Sequence, residues 1–373
     1  MKKLSFFFFC LLLLSCCGRK EENSTNSHLP EGNIITHASL LSISEREGYD
    51  LVEIKTSPDG KDVTRYVLKK SSAADLSDTP ADAIILTVPL STSVIDSEVY
   101  ASLLEELGST DMIKGVFDGG YITSPSLREM IDKGHILDVG TPSEPNREKI
   151  LSLNPQAITL SYFKGMDAKN IDNLGVPVIK MSDLDEPTPL GRAEWIRLFG
   201  RLTGKAQLAD SIFNSVRDNY ESLKAEASKA ARHPKVMTET IYQGVWYVPG
   251  GKSYQAQLIA DAGGQYFMAH DTGSVTLNLS LEQVLENAHD ADIWLIKVFG
   301  EKLSLSSLVT KDSRYAEFKP YKTGNIYFSD TGDTPLYREF PFHPDLLLRE
   351  YMNIFSSDGK EPSNLRYFNK IGK

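Results

Sequence analysis

Beyond Cys17 this 373-residue chain has no cysteine; its three are Cys10, Cys16 and Cys17. A disulfide framework and a cysteine nucleophile are both excluded from the body, whose stability must come from a buried core. No Gly-x-Ser-x-Gly elbow occurs, which removes the commonest signature of an α/β hydrolase. The seven histidines, His28, His37, His135, His233, His270, His289 and His343, are scattered without the i, i+4 pairing of a zinc hydrolase, so no bare-metal site is expected. Positive charge is scarce as well: 40 Lys and Arg against 50 Asp and Glu give a net charge of -10. That balance disfavours nucleic acid as a partner and a body lying on anionic lipid.

What is present begins at the N-terminus. Lys2 and Lys3 precede an apolar run from Leu4 to Leu14, then Ser15, Cys16 and Cys17. This is the charged start, apolar centre and small-residue exit of a signal peptide, too short for a permanent membrane span. Leu13-Leu14-Ser15-Cys16 resembles the lipobox of bacterial lipoproteins, which implies cleavage after residue 15 and a diacylglycerol on Cys16, with Cys17 the weaker candidate. Losing Lys2 and Lys3 takes the net charge from -10 to -12, so the acyl chain would hold the protein to its membrane. Residues 16–30 are polar and turn-rich, as a flexible tether should be. The expected location is the cell envelope, on the periplasmic face or the cell surface.

The remaining chain, of about 350 residues, is long enough for two domains. From Asn33 to Lys69, alternating runs such as Val52-Glu53-Ile54-Lys55 and Thr64-Arg65-Tyr66-Val67-Leu68 flank Pro58-Asp59-Gly60 and predict a hairpin region without an evident role. From Ala83 the pattern changes. A buried strand over 83–88, a helix over 98–107 and a strand over 113–116 imply a parallel sheet. Helices over 125–133 and 148–153 and strands at 157–160 and 176–179 continue the rhythm to the acidic loop 183–187. A helical stretch over about 191–231 follows, interrupted only by Gly204, and then alternation resumes: strand 236–241, helix 255–262, helix 280–287, strands 293–296 and 326–328, and a closing helix over about 345–355. The fold class is α/β: a lobe over 31–190 carrying the extra hairpin region, a helical bridge over 191–232, and a second lobe over 233–373. Mainly parallel sheets and a ligand cleft between the lobes are expected.

The halves carry a weak internal repeat. Asn146-Arg147-Glu148-Lys149-Ile150 and Ser280-Leu281-Glu282-Gln283-Val284 each open a helix that leads into a strand, with a glutamate in the first turn. Together with Gly191-Arg192-Ala193-Glu194-Trp195, Gly250-Gly251-Lys252-Ser253, Leu258-Ile259-Ala260-Asp261-Ala262-Gly263-Gly264 and His343-Pro344-Asp345-Leu346-Leu347, this order resembles the periplasmic binding proteins that serve ABC importers of ferric siderophores, haem and cobalamin. The resemblance spans roughly residues 80–358. It implies a monomeric binding protein without cofactor, whose ligand is a metal chelate and whose partner is an ABC importer permease. It also implies that Glu148 and Glu282 dock on permease arginines; independently, a carboxylate in an exposed first turn suits an arginine fork, although first turns favour acidic residues in any helix.

Small ligands favour domain interfaces, and glycine-flanked aromatic loops at strand ends are the candidates to line one. Tyr121 in Asp118-Gly119-Gly120-Tyr121, Tyr162 in Ser161-Tyr162-Phe163-Lys164-Gly165, and Trp246 and Tyr247 in Tyr242-Gln243-Gly244-Val245-Trp246-Tyr247 are expected to bind ligand, with Phe340 and Phe342 weaker choices. Lys164, Lys252, Lys297 and Arg338 are the nearby cations. Iron chelates, ferric siderophore or haem, are the first expectation and a corrinoid the alternative. No enzyme is expected: Gly250-Gly251-Lys252-Ser253 ends like a phosphate loop but has Trp246 where the motif needs glycine, and reads as a turn with Ser253 as N-cap. A lipid-anchored hydrolase or a surface adhesion protein are the remaining classes. A single helical bridge also predicts modest lobe motion.

Overall fold

The structure, a computed structural model, describes residues 32–56, 62–163, 166–360 and 362–372. The Cys16 anchor, the tether, the Pro58-Asp59-Gly60 turn and Lys164 lie outside them.

Four sheets organise the described chain. The first joins β1 (Leu41–Arg46), β2 (Tyr49–Lys55) and β3 (Val63–Lys69) as an antiparallel meander, and β4 (Ile84–Thr87) adds parallel to β3. The alternation seen in the sequence is a half-buried pattern: Val52, Ile54, Tyr66 and Leu68 face inward. One strand departs from expectation. Residues 84–87 extend this sheet at its edge, with Ile85 exposed, and do not open the parallel one.

The second sheet, in the order β7 (Leu137–Asp138), β6 (Ile113–Val116), β5 (Ser93–Ile95), β8 (Ala157–Ser161), β9 (Val178–Met181), is wholly parallel. Its first strand, β5, is only three residues long and escaped sequence reading. The third and fourth sheets belong to the C-terminal half. β10 (Lys235–Thr238), β13 (Gln265–Tyr266), β15 (Ile293–Val298) and β16 (Ile326–Asp330) run parallel in the order β13-β10-β15-β16, closed by antiparallel β17 (Asn369–Lys370). β11 (Ile241–Tyr242), β12 (Val245–Val248) and β14 (Leu277–Leu279) form a small antiparallel sheet. The β11–β12 hairpin turns on Gln243 and Gly244, both at positive φ (50° and 84°), as a two-residue turn of this kind requires.

In each lobe the chain builds the parallel sheet outward in one direction and then the other, so the order reverses between β5 and β8 and between β10 and β15. Crevices at the carboxyl ends of such strands are where ligands bind in open α/β sheets.

The bridge is helical but segmented: Pro189–Ala193, Ile196–Leu202 and Ala206–Ala227. Gly204 (φ 70°) breaks the second from the third, and Gly200 lets the two pack, since a Cβ there would lie 2.5 Å from that of Ala209. The 22-residue helix buries Ala209, Phe213, Val216, Tyr220, Leu223 and Ala227, a stripe at steps of three and four. It packs on the closing helix Pro344–Ser356.

The N-terminal sheet is built into the lobe beside it. The Tyr66 hydroxyl donates to the Val178 carbonyl (2.9 Å) and accepts from the Lys180 N–H (3.0 Å), occupying the outer edge of β9. Residues 36–40 are held by two buried carboxylates of the bridge region. Glu194 accepts from the N–H groups of Thr36, His37 and Ala38, and Glu186 from those of Ser39 and Leu40 and from Trp195 Nε1. Five backbone donors thereby find buried acceptors.

Candidate functional site

A cavity of about 1050 Å³ opens between the lobes at the strand ends. Phe163, Leu184, Asp185 and Glu186 line it from the N-terminal side; the rest of its wall, from Glu239 to Tyr337, belongs to the C-terminal lobe. Seven of the twelve large hydrophobic side chains exposed among the described residues converge there: Phe163, Leu184, Tyr242, Tyr247, Val275, Phe299 and Tyr337. Such concentration of exposed apolar surface in one concavity marks a binding site rather than ordinary scatter.

Of the four aromatic residues singled out in the sequence, Tyr247 lines the cavity and Tyr121 stands against its wall, its ring 5.2 Å from that of Phe299. Tyr162 does not line it; the ring packs on the core of the first lobe, with the Lys180 ammonium 5.3 Å from its centre. Trp246 must be corrected. It is fully buried, stacked on Trp294 at 5.9 Å with its Nε1 donating to the Thr238 carbonyl, because alternation along β12 sends it inward as it sends Tyr247 out. Phe340 and Phe342 are likewise core residues: Phe340 stacks on Tyr254 and Phe342 enters the core of the first lobe. Phe163, Tyr242, Phe299 and Tyr337 were missed as lining residues. Phe163 and Tyr242 stood within the loops already singled out, whereas Phe299 directly follows β15, which runs to Val298 rather than ending at 296, and Tyr337 lies in a short helix, Leu336–Glu339, that the sequence did not announce.

Charge in the lining is biased. Four acidic residues, Asp185, Glu186, Glu239 and Glu301, and two lysines, Lys297 and Lys311, border the cavity; the Glu186 carboxylate is taken up by Ser39, Leu40 and Trp195, and both ammonium groups are already paired. Lys311 pairs with Glu301 at 2.6 Å and Lys297 with Glu239. Burial alone would lower the Lys297 pKa, but Glu239, with Tyr337 and Tyr351, more than offsets it and holds the amine above its ordinary value. Burial, with the nearby Asp183 charge, pushes the Asp185 carboxyl up. Of the other cations expected near the site, Lys252 borders a separate hollow of about 510 Å³ and Arg338 is not in the lining. Gly250 and Gly251 form the tight turn foreseen: a Cβ on either would run into carbonyls of the 268–275 loop, and Ser253 caps the following helix by accepting from the Ala256 N–H. Among the described residues no group of three or more His, Cys, Asp or Glu side chains is placed to hold a metal ion, and no helix is long and apolar enough to cross a membrane.

Behind the cleft the lobes are joined by buried polar and aromatic contacts. Arg192 Nε donates to Asp183 (3.0 Å) and Nη1 to the Tyr254 hydroxyl (2.6 Å), while Asp183 also accepts from the Tyr100 hydroxyl. This links the first lobe, the bridge and the second lobe in one network.

The repeat glutamates are both exposed in first helical turns, as expected. Glu148 opens Arg147–Ser152, capped by Asn146; Glu282 opens Leu281–Ala288, capped by a Ser280/Gln283 capping box. Each helix leads into an inner parallel strand, β8 or β15, so each glutamate sits toward the carboxyl edge of its sheet. Glu282 is additionally bound by Arg314 at 2.9 Å, and Arg314 by Asp312 at 2.7 Å.

The sequence profile of the family described as periplasmic binding protein matches residues 94–331. The chain belongs to that family. Its members are binding proteins of transporters rather than enzymes. Among relatives, an uncharacterized lipoprotein of Methanocaldococcus jannaschii is 28% identical over 256 residues, 65% of this chain; the match spans only 60% of that relative's length. Among solved structures, a periplasmic heme binding protein from Pseudomonas aeruginosa has a TM-score of 0.60 at 16% identity, covering 76% of this chain and 99% of its own. The periplasmic vitamin B12 binding protein of Vibrio cholerae has a TM-score of 0.55 at 13% identity, covering 73% of this chain and 99% of its own. At these identities the structures share the fold. The N-terminal sheet lies outside the matched profile.

Proposed function

We propose that this protein is a lipid-anchored binding protein that captures a corrinoid in the cleft between its lobes and hands it to an ABC importer. The observation that carries the reading is the character of the lining: broad, ring-rich, and with no ammonium group left unpaired, Lys297 being neutralised by Glu239 and Lys311 by Glu301. A polyanionic ferric siderophore would call for clustered arginine or lysine, and the two carboxylates of haem would meet the same electrostatic cost. A corrinoid is large, largely apolar over its ring faces, and neutral or cationic at its rim. The charge balance therefore favours the alternative over the iron chelates that the sequence put first. Haem keeps one supporting feature, the tyrosine hydroxyls of Tyr242, Tyr247 and Tyr337, any of which offers an oxygen to iron.

The lipid anchor rests on Cys16 and docking on Glu148 and Glu282, one on each lobe. The test is thermal unfolding of the soluble body, from about Glu21 onward, against cobinamide, cobalamin, haem and a panel of ferric siderophores. A native-state ligand must raise the melting point. A shift with corrinoids alone is the expected result; a shift confined to haem or to a siderophore would replace the corrinoid, and none at all would remove the chelate reading.

A further inference from the structure

Glu239 and Lys297 stand side by side on the floor of the cleft, at the point where the strand order of the C-terminal sheet reverses. Glu239 directly follows β10 and Lys297 lies near the end of β15, its neighbour, with Thr238 beside Leu295 across the pair. Glu239 is held in the left-handed region (φ 65°), uncommon for a residue with a side chain. Two bonds impose it: its N–H donates to the Leu295 carbonyl (2.9 Å) and its own carbonyl accepts from Trp294 Nε1 (2.7 Å). Backbone outliers of this kind concentrate at ligand sites.

The side chains have bonding capacity to spare. The Lys297 ammonium meets Oε1 of Glu239, and the side-chain amide oxygen of Gln255 is 3.5 Å away. The two side chains keep 19% and 18% exposure, and both line the cavity. A pair serving stability alone gains little from such placement, since well-packed apolar residues do as well.

We propose that Glu239 and Lys297 together read a primary carboxamide on the rim of the bound chelate, the carboxylate accepting its N–H and the ammonium donating to its C=O. A carboxylate in the same position would gain the ammonium but face Glu239 with like charge. The pair thus selects amide-bearing rims over acid-bearing ones. This rests on the corrinoid reading, because corrinoid rims carry acetamide and propionamide arms.

The experiment is titration calorimetry of the soluble body with cobinamide and with cobyrinic acid, the same ring bearing carboxyl groups in place of carboxamides. The wild-type protein prefers cobinamide. Glu239→Gln removes the repulsion and lowers that preference about tenfold, the worth of one charged hydrogen bond. Lys297→Gln leaves Glu239 unopposed and raises it. Opposite signs are the signature, and if one variant fails to fold the sign of the change in the other still decides. If the wild type binds cobinamide but both variants weaken the two ligands by the same factor, the pair is structural and this inference alone falls. If the wild type binds neither corrinoid, the proposed function falls with it.

Discussion

Phe342, carried by the C-terminal lobe, packs edge-on against Phe199 of the bridge, ring centres 6.4 Å apart at 71°, inside the hydrophobic core of the N-terminal lobe. One lobe thus contributes a core side chain to the other. Around it lie the Arg192, Asp183 and Tyr254 network and the packing of the closing helix on the 22-residue bridge helix. Lobes fastened in this way should rock rather than part widely.

Phe342→Ala should therefore cost about 3–5 kcal/mol, as large-to-small changes in a full core do. Urea unfolding followed by tryptophan fluorescence reads it. A cost near that of an exposed phenylalanine would mean that the ring is not buried in solution. In the wild type, small-angle scattering should show little compaction when ligand binds.

A second contact across the lobes is titratable. His343 Nε2 lies 2.9 Å from both oxygens of Glu106. Burial lowers the imidazole pKa, but Glu106, Asp345 and Glu339 outweigh it and raise it above the ordinary 6.5. A group raised in the folded state contributes stability that is complete below its unfolded value and is lost as pH climbs through the folded one. Stability measured from pH 6 to pH 9 should accordingly fall more in the wild type than in Glu106→Gln; parallel profiles would show that the pair adds nothing.

Much of this arrangement was legible in advance, and the exceptions share a cause. Helices 125–132, 281–288 and 344–356 and strands β6, β8, β15 and β16 announced themselves through periodicity. β5 and β7 are two or three residues long, below the length at which a period can be seen. Residues 84–87 read equally well as the start of either sheet, since a short apolar run does not specify its neighbours. Trp246 and Tyr247 were equivalent in sequence; only the register of β12 against β14, with Trp246 beside Leu279, decides which ring faces the cleft.

Asp96 follows β5 as Glu239 follows β10, at the corresponding reversal of strand order in the first lobe. Its Oδ2 accepts from the Ser161 N–H at 2.9 Å, yet burial, with Asp118 and Asp183 nearby, pushes its pKa up to about 6. A carboxyl raised from 3.8 favours the folded state when protonated, so it costs stability as pH rises from about 4 to above 6. Asp96→Asn keeps the acceptor and removes the charge. It should stabilise the protein by roughly 2–3 kcal/mol at pH 8 and much less at pH 4. Chemical denaturation at the two pH values tests this, and an equal effect at both would show that the carboxyl titrates normally.

The N-terminal strap depends on buried acceptors. Glu194 takes the N–H groups of Thr36, His37 and Ala38, and Glu194→Ala leaves all three without it. Unsatisfied buried donors cost about 1–3 kcal/mol each, softened where water enters. The variant should lose about 3–5 kcal/mol, and hydrogen exchange should rise first in residues 33–56. Uniform loss of protection would mean that strap and lobes unfold as one.

Docking on a permease should depend on Glu148 and Glu282 while ligand capture does not. The two are placed alike in their lobes but differ in surroundings. Glu282 is held by Arg314; its own backbone N–H and the Ser280 hydroxyl, then that arginine, keep its carboxyl below the ordinary range. An exposed pair of this kind is worth only about 0.2–1 kcal/mol, so a permease arginine can displace Arg314 at small cost. Glu148→Ala with Glu282→Ala should abolish stimulation of importer ATPase while leaving ligand affinity unchanged, since neither side chain lines the cleft. Arg314→Ala then separates two roles. If Arg314 only competes for Glu282, its removal tightens association with the permease by about two- to fivefold, the energy of the internal pair returned. If association weakens, Arg314 is itself part of the docking surface, and the acidic contact at Glu282 is not the whole of what the second lobe presents.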